Sequence, residues 1–147
     1  FVIKSDTLYS SYLNTDLREY SENKIGDYYY TKDYGFIDDD GSLIIEARID
    51  DIIISGGENI SPEEIRKAIL EIEEIDDAIV IGIEDKKWGQ VPIAFIKTNI
   101  KINAEFINDY LKRKLPKFKI QKRYIFIAEI PYNNNGKIDK HKLISLI

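Results

Sequence analysis

Apolar and polar positions follow two different rhythms along these 147 residues. Up to about residue 46 the apolar residues fall in short aromatic and β-branched runs: Phe1-Val2-Ile3-Lys4, Tyr28-Tyr29-Tyr30-Thr31, Tyr34-Gly35-Phe36-Ile37 and Ser42-Leu43-Ile44-Ile45-Glu46. Such runs predict strands. Between the last two, Asp38-Asp39-Asp40-Gly41 is an Asp-Gly turn that joins an antiparallel pair. The stretch from Leu8 to Tyr20 is mixed and predicts no element. Strands this short are marginal alone in water, so they are expected to lean on a sheet in a preceding portion of a longer chain.

From residue 51 strands interleave with helices. Ile52-Ile53-Ile54 predicts a strand, Gly56-Gly57 a break, and Ser61-Pro62-Glu63-Glu64 a helix start. That start has an N-cap hydroxyl, a proline at the first helical position and an acid three residues after the cap, the pattern of a capping box. Ile65, Ala68, Ile69 and Ile72 then share one helical face. Residues 78–83 and 91–96 read as a strand hairpin across Lys86-Lys87-Trp88-Gly89, with Pro92 suggesting an edge or an opening position. Asn103 caps a second helix striped by Ile107, Tyr110, Leu111 and Leu115, and Pro116 ends it. Tyr124-Ile125-Phe126-Ile127 is a third strand, and Asp139 caps a last helix carrying Leu143 and Ile144. The expected fold class is α+β: residues 50–147 form a small domain with a three-stranded sheet and packed helices, preceded by the hairpin strands of residues 1–49.

With 44% hydrophobic and 32% charged residues the chain can bury one modest core. It has no cysteine, which excludes disulfides and thiolate metal sites, and no apolar run approaches the ~20 residues of a membrane helix. A cytoplasmic location is the expectation. Phe1 is not an initiator Met and no secretory pattern follows it, so the start reads as a boundary within a longer chain. A net charge of −5 argues against general nucleic-acid binding. Against that background Lys112, Arg113, Lys114, Lys117, Lys119, Lys122 and Arg123 run together with no acidic residue between them. Such a segment is either a solvated face or a local site for a small polyanion.

The segment Arg48-Ile49-Asp50-Asp51-Ile52-Ile53-Ile54-Ser55-Gly56-Gly57-Glu58-Asn59-Ile60-Ser61-Pro62-Glu63-Glu64-Ile65 packs linker, strand, tight loop and capped helix into direct succession. It resembles the junction between the large and small domains of the adenylate-forming ligases, the superfamily of acyl-CoA synthetases, luciferases and peptide-synthetase adenylation domains. The likeness continues to residue 147. It implies a C-terminal lid domain behind the end of a larger N-terminal domain. Residues 53–60 and 88–95 most resemble the 2-succinylbenzoate–CoA ligases within that superfamily.

The resemblance implies a role for each matched residue. Thr31-Lys32-Asp33 resembles the Thr-Gly-Asp motif whose carboxylate accepts from both ribose hydroxyls of ATP, with Lys32 in place of the usual glycine. Arg48 matches the arginine on the ribose and phosphate side of the nucleotide, and a strand-end pairing with Asp50 or Asp51 is the alternative. Asp50 falls at the hinge position. Gly56 and Gly57 either permit positive φ or leave a track for pantetheine, and two glycines exceed what the turn alone requires. Trp88 resembles a residue near the CoA entrance or is core. Phe118, Lys119 and Lys122 match positions that touch the adenine and 3′-phosphate of CoA, although Ile120 departs from the arginine of some relatives.

Lys137, in Pro131-Tyr132-Asn133-Asn134-Asn135-Gly136-Lys137, matches the lysine that bridges the substrate carboxylate and the α-phosphate of ATP. The usual Arg-Thr before that motif is here Tyr132-Asn133. The implied substrates and cofactors are a small carboxylic acid, ATP, CoA and Mg2+, the metal arriving through ATP and the N-terminal domain. No metal site, nucleic acid or membrane span is assigned within these residues. Lys137 would serve adenylation and the glycine loop thioester formation, alternating by rotation about Asp50, and the chain alone is expected to be inactive. A fatty-acid or other acyl-CoA synthetase, an adenylation unit loading a carrier protein and a non-catalytic interaction domain are the alternatives.

Overall fold

The computed structural model describes residues 1–8, 23–120 and 123–147. Most of the Leu8–Tyr20 stretch, and Lys122 with the contact expected of it, lie outside the described residues. The chain forms two compact units, Phe1–Asp50 and Asp51–Ile147.

In the first unit β1 (Val2–Ile3), β2 (Lys24–Ile25) and β3 (Tyr28–Tyr30) form an antiparallel sheet in the order β1-β3-β2. Strands β4 (Asp33–Ile37) and β5 (Leu43–Arg48) form the hairpin expected from the Asp-Gly turn, with Gly41 at φ 85°. A bulge between Tyr34 and Gly35 shifts the register, and a side chain on Gly35 would run into the Ile44 carbonyl. Among the described residues of this unit only Ala47 is a buried apolar side chain, while Tyr34, Phe36, Ile37, Leu43 and Ile45 are exposed.

The second unit is of the α+β class. Its sheet is built on β8 (Asp77–Asp85) and β9 (Gly89–Lys97), a long hairpin in which Asp77 pairs with Lys97 and Asp85 with Gly89. Strand β10 (Arg123–Ile127) runs parallel to β9, and the helix α2 (Ala104–Leu111) lies in the connection that a parallel pair requires. These are the three expected strands. Two more join the sheet: β6 (Ile53–Ser55), where a strand was expected at 52–54 but not as part of this sheet, and β7 (Glu58–Ile60), which was not expected, form a hairpin that touches β9 through Ser55 and Gly89. The sheet therefore has five strands. Because β9 lies between β8 and β10, Pro92 is not on an edge, and the ladder to β10 opens one residue later at Ile93.

Alternation along β8 and β9 divides the interior between the two faces of the sheet. Ala78, Val80, Ala94 and Ile96 pack with Ile53 and Ile60 beneath α1 (Pro62–Leu70) and α2, which contribute Ile65, Ala68, Ile69, Ile107 and Leu111. Ile79, Ile81, Ile93 and Phe95 face the other way and are covered by Ile130 and by Leu143 of α3 (Lys140–Ile144), with Ile138 alongside. Each fully buried isoleucine or leucine contributes about 1.5–3 kcal/mol. Of the apolar pair expected in the last helix Leu143 is buried and Ile144 is exposed, since the short helix shows one side to the sheet.

Capping follows the sequence closely. Ser61 accepts from Glu64 N–H at 3.4 Å, Asn103 from Phe106 N–H at 2.8 Å and Asp139 from Lys142 N–H at 3.1 Å. The reciprocal half of the expected capping box is diverted, because the Glu64 carboxylate takes Lys119.

Candidate functional site

In the first unit Asp33 and Arg48 face each other as register partners across β4 and β5. Arg48 Nη1 lies 3.4 Å from Asp33 Oδ1, and its other amino group lies 3.9 Å from Asp50 Oδ2. Lys32 Nζ lies 3.4 Å from the same Asp50 oxygen. Asp33 keeps the most shelter of the group, with its side chain 24% exposed. Two cations and two carboxylates thus share one exposed corner, so Arg48 does pair with Asp50, as its structural alternative held, and with Asp33 too. Lys32 has φ 62°, left-handed backbone that glycine adopts freely and a β-substituted residue adopts at a cost of about 1–2 kcal/mol. Asp50 sits in a short helical turn, Ile49–Asp51, at the boundary of the two units.

In the second unit Gly56 and Gly57 form the two-residue turn of the β6–β7 hairpin, with φ 60° and 89°. A turn of this kind matched to strand twist needs positive φ at both central residues. The expectation that two glycines exceed the needs of the turn is therefore corrected: the turn uses both. Gly56 carries a second constraint, since a Cβ there would come within 2.7 Å of Trp88 Cε3. Gly56 N–H also donates to the Trp88 carbonyl at 2.8 Å. Trp88 is not core, being 41% exposed, and Lys87 Nζ stands 4.9 Å from its ring centre. The hairpin tip and the Trp88 turn are thus tied together.

The basic segment does not form one free patch. Lys112 pairs with Asp109 at 2.8 Å, Lys114 with Glu71 at 2.7 Å, and Lys119 bonds both Glu64 oxygens at 2.7 and 2.6 Å. Bonds from Lys114 and Tyr110 hold the Glu71 carboxyl below its ordinary range. Phe118 is exposed, and the Lys119 ammonium lies 5.8 Å from its ring centre. A phosphate approaching Lys119 must compete with Glu64.

Lys137 lies at the end of a tight loop. Asn133 N–H donates to the Lys137 carbonyl at 2.7 Å, and Asn133 Oδ1 accepts from the N–H groups of Asn135 and Lys137 at 2.9 and 3.0 Å. Gly136, at φ 71°, turns the chain, and Tyr132 bridges Ile138 below it. The backbone is pinned while the Lys137 side chain is exposed and makes no ion pair among the described residues. The loop is rooted through Ile130 and Ile138 in the core on one face of the sheet, and the glycine hairpin through Ile53 and Ile60 in the core on the other.

Sequence reasoning missed Gln90, whose side-chain carbonyl accepts from Ile54 N–H at 3.0 Å. Its signal was a polar residue at the head of an otherwise apolar strand. It missed Glu64 as the partner of Lys119, because 55 residues separate the two.

The second unit is thus a small α+β domain whose sheet is packed on both faces and carries one cationic loop and one glycine hairpin rooted in opposite cores. The chain belongs to the AMP-binding enzyme C-terminal domain family, whose model matches residues 64–137. It is 42% identical over 124 residues to a 2-succinylbenzoate–CoA ligase of Geobacillus, covering 83% of this chain and 25% of that protein. It is 38% identical over 144 residues to one of Staphylococcus epidermidis, covering 98% of this chain and 30% of that protein. The structure of the o-succinylbenzoate CoA synthetase of Bacillus subtilis in complex with its acyl-adenylate intermediate superposes with a TM-score of 0.84 at 33% identity, covering 97% of this chain and 29% of that one. The chain thus spans less than a third of these relatives. Among the described residues no helix is long and apolar enough to cross a membrane.

Proposed function

We propose that these residues are the C-terminal part of a cytoplasmic AMP-forming acid–CoA ligase acting on 2-succinylbenzoate in menaquinone synthesis. Residues 1–49 end its N-terminal domain and 50–147 form its lid. The observation that carries the reading is the exposed Lys137 ammonium on a pinned loop, rooted opposite to the glycine hairpin. The names of the relatives support the choice of acid.

In the first step Asp33 accepts from the ribose hydroxyls of ATP and Arg48 faces its phosphate side. Lys137 stands between the acid and the α-phosphate, where the attack concentrates negative charge, and a fixed cation there lowers the barrier. Mg2+ would come with ATP and would offset the charge of the polyphosphate, and none of the described residues of this chain is assigned to hold it. In the second step a torsion change at Asp50 exchanges the working loop. Pantetheine then runs along the side-chain-free Gly56-Gly57 turn beside Trp88, with Phe118, Lys119 and Lys122 toward the adenine and 3′-phosphate of CoA. The thiol attacks the acyl carbonyl, and AMP leaves.

The test supplies pre-formed acyl-adenylate and CoA to the full-length enzyme carrying Lys137→Ala. Adenylation should fall about 10²–10³-fold, the loss seen when one such stabilising group is removed, while thioester formation stays near wild type. Equal collapse of both half-reactions would refute the division of labour.

A further inference from the structure

We infer that Gln90 is a positioning residue that sets the glycine hairpin on the sheet for the thioester half-reaction; the functional part of this inference rests on the ligase reading above. The hairpin is poorly fastened by strand pairing alone. Strand β6 has three residues and meets β9 at the single pair Ser55–Gly89. Within the hairpin Ile54 lies opposite Asn59, one step from the pair Ser55–Glu58 that closes the two-residue turn. In an antiparallel ladder such a position points its N–H outward, away from its partner. The Ile54 N–H therefore finds no backbone acceptor on β7, and the Gln90 side-chain carbonyl takes it at 3.0 Å.

The surroundings are shaped for this bond. Gln90 is half-buried on the face that carries Ala94 and Ile96. Its side chain crosses toward β6 above Gly82, where a Cβ would lie 3.4 Å from Gln90 Oε1 and 3.0 Å from Ile53 Cγ1. Together with Gly56 N–H on the Trp88 carbonyl at 2.8 Å, the amide fixes the strand leading into Gly56-Gly57 at a second point. Gln90 thus replaces a missing ladder rung with a side chain and settles the height at which the turn stands above β9.

The experiment compares Gln90→Leu, which removes the acceptor, with Gln90→Glu, which retains an oxygen at the same reach, in the full-length enzyme. With pre-formed adenylate, Gln90→Leu should lower kcat/KM for CoA about fivefold, the worth of one net hydrogen bond. Pyrophosphate release in the first half-reaction should not change, and Gln90→Glu should restore most of the loss. Hydrogen exchange at the Ile54 amide should quicken in Gln90→Leu and not in Gln90→Glu. Unchanged exchange, or equal losses in both half-reactions, overturns the inference. Wild-type enzyme that makes no thioester from adenylate and CoA refutes the ligase reading instead, and the exchange measurement still decides whether Gln90 holds the hairpin.

Discussion

Replacing Gly56 by alanine should cost far more than replacing its neighbour Gly57, although both carry positive φ. The backbone component is common to the two: left-handed geometry costs a β-substituted residue about 1–2 kcal/mol, partly offset by about 0.4–1 kcal/mol from a less flexible unfolded chain. At Gly57 a Cβ meets nothing within 4 Å, so that remainder, about 1 kcal/mol, is the whole expected effect. At Gly56 the Cβ falls 2.7 Å from Trp88 Cε3 and 3.0 Å from Cζ3, where ordinary contact begins at 3.4 Å. The ring must retreat, and being 41% exposed it can do so by swinging toward water. Crowding of this kind adds about 1–3 kcal/mol, which brings Gly56→Ala to about 2–4 kcal/mol. Urea titrations of the 147-residue chain followed by the emission of its single tryptophan measure stability and ring environment together. Gly56→Ala should red-shift the native emission as well as lower the midpoint, whereas Gly57→Ala should lower the midpoint only slightly. Equal destabilisation with unchanged emission would refute the packing of Trp88 on Gly56.

Three other outcomes are expected. Lys32→Gly should be more stable than Lys32→Ala by about 1 kcal/mol, because both lose the Asp50 pair and only glycine relieves the left-handed backbone; thermal unfolding of the two variants checks this. Glu64→Gln should lower KM for CoA about threefold by freeing the Lys119 ammonium, and Lys119→Met should raise it, the competing pair being worth up to about 1 kcal/mol; steady-state kinetics of the full-length enzyme reads both. Glu71 has its pKa lowered from 4.5, first by the hydrogen bond from Lys114 and then by the one from Tyr110, so its contribution is present above that value and lost as pH falls through the depressed one. The gap in melting temperature between wild type and Glu71→Gln should therefore hold at neutral pH and close in acid.

Local signals carried most of the fold. Ser61-Pro62, Asn103 and Asp139 stand at helix starts, and the runs at 78–83, 91–96 and 124–127 are strands, because capping and period act within a few residues. Strand β7 escaped notice because Glu58-Asn59-Ile60 is short and mostly polar, and only the reading of Gly56-Gly57 as a hairpin turn reveals it. The partners of the basic segment were hidden for another reason. Glu71 and Glu64 reach Lys114 and Lys119 across 43 and 55 residues, and no local pattern encodes a pairing made by packing α1 against the segment after α2. The departure at Lys32 was visible as a residue change, but the backbone cost it carries required coordinates.

The fastening of the Lys137 loop lies partly beyond the lysine, at Ile138 and at the fully buried Leu143. A ribosome therefore completes the cationic residue before it makes the anchor that aims it. A nascent chain halted after residue 137 would possess every side chain proposed to touch substrate and lack Ile138 and Leu143, two of the groups that hold the last of them in place.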